Sequence, residues 1–205
     1  MRDGRLLTER DHVLVALDGP IAELPPPPSA ADRLRVMVAE GGLPRKVART
    51  DDPFVVIAHA ATIGPATEQA VHAQLCRIEL EVLSTAPATA GVHKAFAKMA
   101  AVGTQITVVT SLSITAVRTF LVLHGLLDHV RHLTGRTGPD SSGLPPAPDL
   151  ITAAIHHCAI PMRSCLFVGS TDTDLKAARA AGVETIRPPW SDDALIPPPV
   201  PVQQR

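Results

Sequence analysis

The stretch from Ser164 to Ile186 constrains this chain more than any other. Ser164-Cys-Leu-Phe-Val-Gly169 is an apolar run closed by glycine, which predicts a strand passing into a turn. Asp174 to Ala181 is patterned as a helix, with Gly182 where a left-handed C-terminal residue belongs. Val183-Glu-Thr-Ile186 predicts a further strand.

The same alternation recurs upstream. His12-Val-Leu-Val-Ala-Leu17 reads as a strand ended by the turn residues Asp18-Gly19-Pro20, and Ile106 to Thr110 as a buried β-branched strand. Val92 to Ala101, Ser113 to about Val122, and Leu150 to Cys158 read as helices. A short pattern around Val130 stays unassigned, and residues 137–149 read as loop. Strands separated by helices predict a doubly wound α/β core, a parallel sheet covered on both faces. Sites in such sheets gather at the carboxyl ends of the strands.

From Ser29, a candidate N-cap, to about Leu83 the pattern is helical throughout. It is broken at Gly41-Gly42-Leu-Pro44 and at Asp51-Asp52-Pro53. This predicts a small helical module inserted after the first strand, reached through an extended spacer at Pro25 to Pro28. The expected division is an α/β core over 8–24 and 88–190, a helical cap over 25–87 and a proline-rich tail over 191–205.

Net charge is −1, and four Phe, one Trp and no Tyr leave few stacking surfaces, so nucleic acid is not an expected partner. No apolar run approaches the roughly 18 residues of a membrane span, and none resembles a signal peptide. Cys76, Cys158 and Cys165 are odd in number and lack metal-ligand spacing, which fits a reducing, cytoplasmic setting. Usage rich in Ala, Arg and Pro points to a bacterial source of high GC content.

Four segments in order resemble the haloacid dehalogenase (HAD) superfamily. They are Ala16-Leu17-Asp18-Gly19-Pro20, Val108-Val109-Thr110-Ser111, Leu144-Pro145-Pro146-Ala147-Pro148-Asp149-Leu150, and Val168-Gly169-Ser170-Thr171-Asp172-Thr173-Asp174 with its helix. The resemblance covers roughly residues 12–190 and implies a Rossmann-like core with a helical cap.

It also implies roles. The family's nucleophilic and Mg²⁺-binding aspartate falls on Ala16, its loop lysine on Pro145 and a metal-ligand aspartate on Ser170. Asp18 matches the general acid/base, Thr110 a phosphate hydrogen-bonding residue and Asp174 a supporting carboxylate. A methyl group neither attacks phosphorus nor binds a metal. The resemblance therefore implies a non-phosphatase, a binding or regulatory pseudoenzyme without a cofactor and with Mg²⁺ binding weak or absent.

The expected site has Asp18 and Thr110 as its chemical residues, with Gly19, Ser111, Ser170, Thr171, Asp172 and Asp174 around a ligand. The loop at 170–172 precedes a helix whose N-terminus suits an anion. His59 and Glu79, from the insertion, are further candidates to face the site. The expected partner is a small molecule between core and cap, or a protein. Two alternatives stand beside this: a metal-independent enzyme of small-molecule tailoring, for instance in natural-product biosynthesis, with Asp18 as acid/base, and a weak Mg²⁺-dependent phosphohydrolase recruiting Asp172 or Asp174.

Overall fold

The computed structural model describes residues 7–25, 30–145, 147–159, 161–188 and 190. The readings of Pro26 to Pro28 as spacer, Ser29 as cap and 191–205 as tail lie outside the described residues.

Five strands form one parallel sheet in the order β3-β2-β1-β4-β5. They are β1 (His12–Ala16), β2 (Gln105–Ser113), β3 (Val130–Arg136), β4 (Cys165–Val168) and β5 (Glu184–Ile186). Burial on both faces makes β1 and β4 apolar without alternation. In the register Ala16 pairs with Val109, and Val15 with Val168. The carboxyl ends of β1 and β4 therefore finish at one level, beside Val109 of β2, which runs on to Ser113.

The helices are α1 (Ala30–Arg35), α2 (Arg45–Ala48), α3 (Pro53–Ile63), α4 (Pro65–Thr85), α5 (Val92–Ala101), α6 (Ile114–Leu123), α7 (Asp149–His157) and α8 (Asp172–Ala180). One face of the sheet packs Val13, Val15 and Val108 against Phe96 and Met99 of α5 and Val117 and Phe120 of α6. The other packs Leu14, Val109 and Phe167 against Ile151 of α7 and Leu175 of α8. Helices α1 to α4 close over their own core, in which Leu34, Ile57, Val71, Leu75 and Ile78 meet. The break at Asp51-Asp52-Pro53 starts α3, because the Asp52 carboxylate accepts the Phe54 N–H at 2.9 Å and Pro53 needs no donor in the first turn.

The unassigned pattern at Val130 is the strand β3. Val130-Arg-His-Leu-Thr-Gly-Arg136 has no apolar run and no clean alternation, because it is an edge strand with most residues half-buried. Helix α8 begins two residues before the expected Asp174, since Thr171 is its cap. Among the described residues no helix is long and apolar enough to cross a membrane. The buried His12 bonds Thr107 Oγ1 at 2.7 Å, and burial pushes its pKa down to about 4, so the ring is neutral under the sheet.

Candidate functional site

The site grows from the turn after β1. Ile21 and Ala22 donate to the Leu17 carbonyl at 3.0 and 2.9 Å, and Gly19 donates to Ala22 at 2.9 Å. The Thr89 hydroxyl and the Trp190 indole hold the carbonyls of Gly19 and Pro20 at 2.7 and 2.6 Å. This tight turn lifts Asp18 to the surface just beyond the strand end, while Ala16 stays buried. Gly19 has φ +87°, and a β-carbon there would lie 2.2 Å from Ser170 Oγ, so the turn and the 170 loop touch through a residue without a side chain.

Beside it, β2 leaves regular register with β3 between Val109 and Ser113. Thr110 Oγ1 accepts the Leu112 N–H at 3.1 Å and is buried. Behind β4, Thr171 and Asp174 cap α8 reciprocally. The Thr171 hydroxyl accepts the Asp174 N–H at 3.1 Å and donates to Asp174 Oδ2 at 2.5 Å.

Asp18 borders three adjoining cavities. The first, about 500 Å³, is edged by Phe54, Ser111, Pro145, Thr171 and Asp174. The second, about 350 Å³, runs under the insertion between Phe54, Leu75, Ile78, Glu79 and Leu112. The third, about 120 Å³, sits on Ala16, Val109 and Thr110, with Asp174 at its side. Together they form a cleft between sheet and helical insertion. Its charged lining is Asp18, Asp51, Asp52, Glu79 and Asp174, with no Lys, Arg or His among the described residues.

Electrostatics follow from that lining. Partial loss of hydration, and then the neighbouring Asp174, raise the Asp18 carboxyl above its ordinary range, against a hydrogen bond from the Leu24 backbone. Burial also raises Asp174, against its two bonds to Thr171. Asp174 is thus the charged neighbour of Asp18, and both carboxyls hold a proton more tightly than they would in water.

Above the cleft, the buried Glu79 of α4 meets the buried Arg136 at the end of β3. Arg136 Nη2 donates to Glu79 Oε1 at 2.5 Å, Nε donates to the Ser111 carbonyl at 3.2 Å, and the Ser113 N–H donates to Glu79 Oε2 at 2.9 Å. The guanidinium also lies 5.4 Å from the centre of the Phe54 ring. Burial nonetheless raises the Glu79 carboxyl, outweighing the pull of Arg136. This pair ties the insertion to the sheet.

Of the expected site residues, Asp18, Thr110, Ser111, Thr171 and Asp174 come together on the cleft, as do Ala16 and Pro145. Three do not line it. Gly19 and Ser170 are spent on contact with each other. Asp172 points to Arg187, whose Nη2 holds its carboxylate at 2.8 Å while Nη1 holds the Ser170 carbonyl. At the helix N-terminus behind this loop the Thr171 hydroxyl caps the Asp174 N–H. His59 misses the cleft too, its ring lying by the Thr62 hydroxyl of its own helix. Glu79 reaches the cleft, but as half of an ion pair. Sequence reading missed its partner Arg136, which sits in the strand that carried no strand signal, and also missed Phe54.

The strand ends offer a Mg²⁺ ion few oxygen ligands. Of the carboxylates at the strand ends, Asp18 and Asp174 remain, one Asp174 oxygen is taken by Thr171, and Asp172 belongs to Arg187. Among the described residues no group of three or more His, Cys, Asp or Glu is placed to hold a metal.

The fold has many solved counterparts. CbbY from Rhodobacter sphaeroides, solved in complex with phosphate, is 17% identical, covers 87% of this chain and 85% of its own, and superposes with a TM-score of 0.64. A mutant of the same protein in complex with xylulose-(1,5)bisphosphate is 16% identical over the same shares, with a TM-score of 0.64. A HAD-superfamily hydrolase from Geobacter sulfurreducens is 20% identical over 86% of each chain, with a TM-score of 0.54. No curated protein matches by sequence. The family model described as haloacid dehalogenase-like hydrolase matches residues 56–187, well over half of the sequence. With that match, and with strand ends and motifs in the family's order, the chain belongs to the haloacid dehalogenase-like hydrolases.

Proposed function

We propose that this chain is a member of that family that no longer works as a phosphatase and instead binds a small molecule in the cleft between the core and residues 25–87 as its cap. The observation that carries the reading is the cleft's chemistry. Its floor is the methyl group of Ala16, Pro145 stands at its rim, and its charged lining is entirely acidic. A phosphate dianion entering there would meet several carboxylates and no compensating cation, in a partly dehydrated space where charge counts heavily. With no nucleophile at Ala16, transfer to the protein would lose on the order of 10⁶ in rate. The Glu79–Arg136 tie supports the same reading, since it holds the insertion against the sheet and favours a preformed pocket.

The test is turnover of p-nitrophenyl phosphate with Mg²⁺ by the purified chain. The expected result is no release above background that Asp18→Asn removes; a robust rate dependent on Asp18 would overturn the proposal. Restoring Ala16→Asp, Pro145→Lys and Ser170→Asp together should raise Mg²⁺ affinity, measured by calorimetry. An unchanged affinity would mean that these positions are not the family's catalytic ones.

A second reading, a metal-independent enzyme, is favoured by one observation: Asp18 is raised by its surroundings and stands at the junction of all three cavities. A carboxylic acid so placed suits proton transfer to a bound molecule. It would show as turnover of a bound compound, without added metal, that Asp18→Asn abolishes while binding persists.

A further inference from the structure

The cleft is not uniform along its length. Under the insertion its part of about 350 Å³ is a slot walled by Leu24, Phe54, Leu75, Ile78, Val82 and Leu112. These side chains neither ligate a metal nor solvate a charge, so the slot suits a hydrocarbon body. Asp18 lines the slot and both neighbouring cavities, where Asp174 joins it.

The charge at that end is unopposed. Glu79 is paired with Arg136 and Asp172 with Arg187, whereas Asp18 and Asp174 meet no Lys, Arg or His among the described residues. Burial raises both carboxyls, and Asp174 raises Asp18 further. A positive group beside them would relieve that cost.

An independent observation on the cleft floor also points to a bound molecule. Thr110 is buried against the cavity of about 120 Å³. Its oxygen accepts the Leu112 N–H at 3.1 Å, and its own proton meets no acceptor among the described residues. A buried donor without an acceptor is costly, and a neutral oxygen on a ligand would satisfy it.

We propose that the cleft takes a small organic amine that also carries a neutral oxygen. Its ammonium faces Asp18 and Asp174, its oxygen faces Thr110, and its apolar body fills the slot. An anion would meet the carboxylates, and a bare metal ion would leave the slot empty. This assignment rests on the reading of the cleft as a small-molecule site, and adds the ligand's charge and shape.

The experiment titrates the full chain with three compounds of one carbon skeleton, using calorimetry at low salt. They are phenylalaninol (cationic), 3-phenylpropan-1-ol (neutral) and 3-phenylpropionate (anionic). Phenylalaninol is expected to bind about tenfold more tightly than the neutral alcohol, with the carboxylate weakest. Asp18→Asn, at an exposed carboxylate, should cut that advantage to about threefold or less. Val82→Phe, which fills the slot, should weaken the amine and the alcohol alike. Thr110→Val should weaken both alcohols too. Alcohol or carboxylate binding as tight as the amine's, and still lost in Val82→Phe, would overturn the charge assignment while leaving the cleft a binding site. Amine binding that ignores both Asp18→Asn and Val82→Phe would place it elsewhere and overturn the proposal. Binding by none of the three would overturn it as well, and the aryl phosphate assay decides the underlying reading separately.

Discussion

Two cavities lie back to back in this molecule and carry opposite charge. Among the described residues the Asp18 cleft is lined by carboxylates and no base, while a cavity of about 580 Å³ between α4 and the first turn of α6 is lined by His72, Arg77 and Arg136 and no carboxylate. The wall between them is one ion pair, with Glu79 turned to the first and Arg136 to the second. The pair itself is net neutral, and each cavity meets one of its two partners. The comparison shows that the sign of a pocket can be set by which partner of a buried pair faces it.

Breaking the pair should give the largest effect. Arg136→Ala would leave Glu79 buried without its cation and should cost about 3–5 kcal/mol in urea unfolding. The double variant Glu79→Leu with Arg136→Met should recover most of that, because burying both charges is expensive to begin with. A single-variant loss below about 1 kcal/mol would mean that the two sides are not joined through this contact.

A smaller effect is expected at the contact that builds the acidic side. Gly19→Ala forces a β-carbon into the Ser170 side chain at a residue with positive φ, and should destabilise by about 1–3 kcal/mol. Adding Ser170→Gly should return the steric share of this loss and leave the backbone share. Full recovery would show that the left-handed conformation costs nothing there.

The smallest effect concerns uncompensated charge. Asp18 is raised above its ordinary range in the fold, so its ionised form opposes folding at neutral pH, and the penalty fades as pH falls through its folded pKa. Asp18→Asn should therefore stabilise slightly at pH 7, by no more than about 0.5 kcal/mol, and lose this advantage in acid. An advantage that grows as pH falls would place a cation near Asp18 and abolish the contrast between the cavities.

Much of the fold was legible along the chain because its strands are buried on both faces. His12 to Ala16 and Cys165 to Val168 read as continuous apolar runs for that reason. The edge strand Val130 to Arg136 was not legible, since a half-buried edge tolerates Arg and His. The strand-end residues Asp18, Thr110 and Asp174 lie near one another because order along a parallel sheet translates into nearness at its carboxyl edge. Ser170 and Asp172 turn to local partners that no spacing reveals, the glycine of another turn and Arg187.

The sequence by itself determined the order of four of the five strands, the family, and the chemical identity of what stands at their ends, including a methyl group at Ala16. Those are properties of local pattern and of single side chains. Only the tertiary structure decided that Glu79 and Arg136, 57 residues apart, are buried on each other, and hence which cavity is acidic and which is basic. The physical reason is that an electric field depends on separations in space, and the desolvation that strengthens it exists only once the insertion has closed over the sheet.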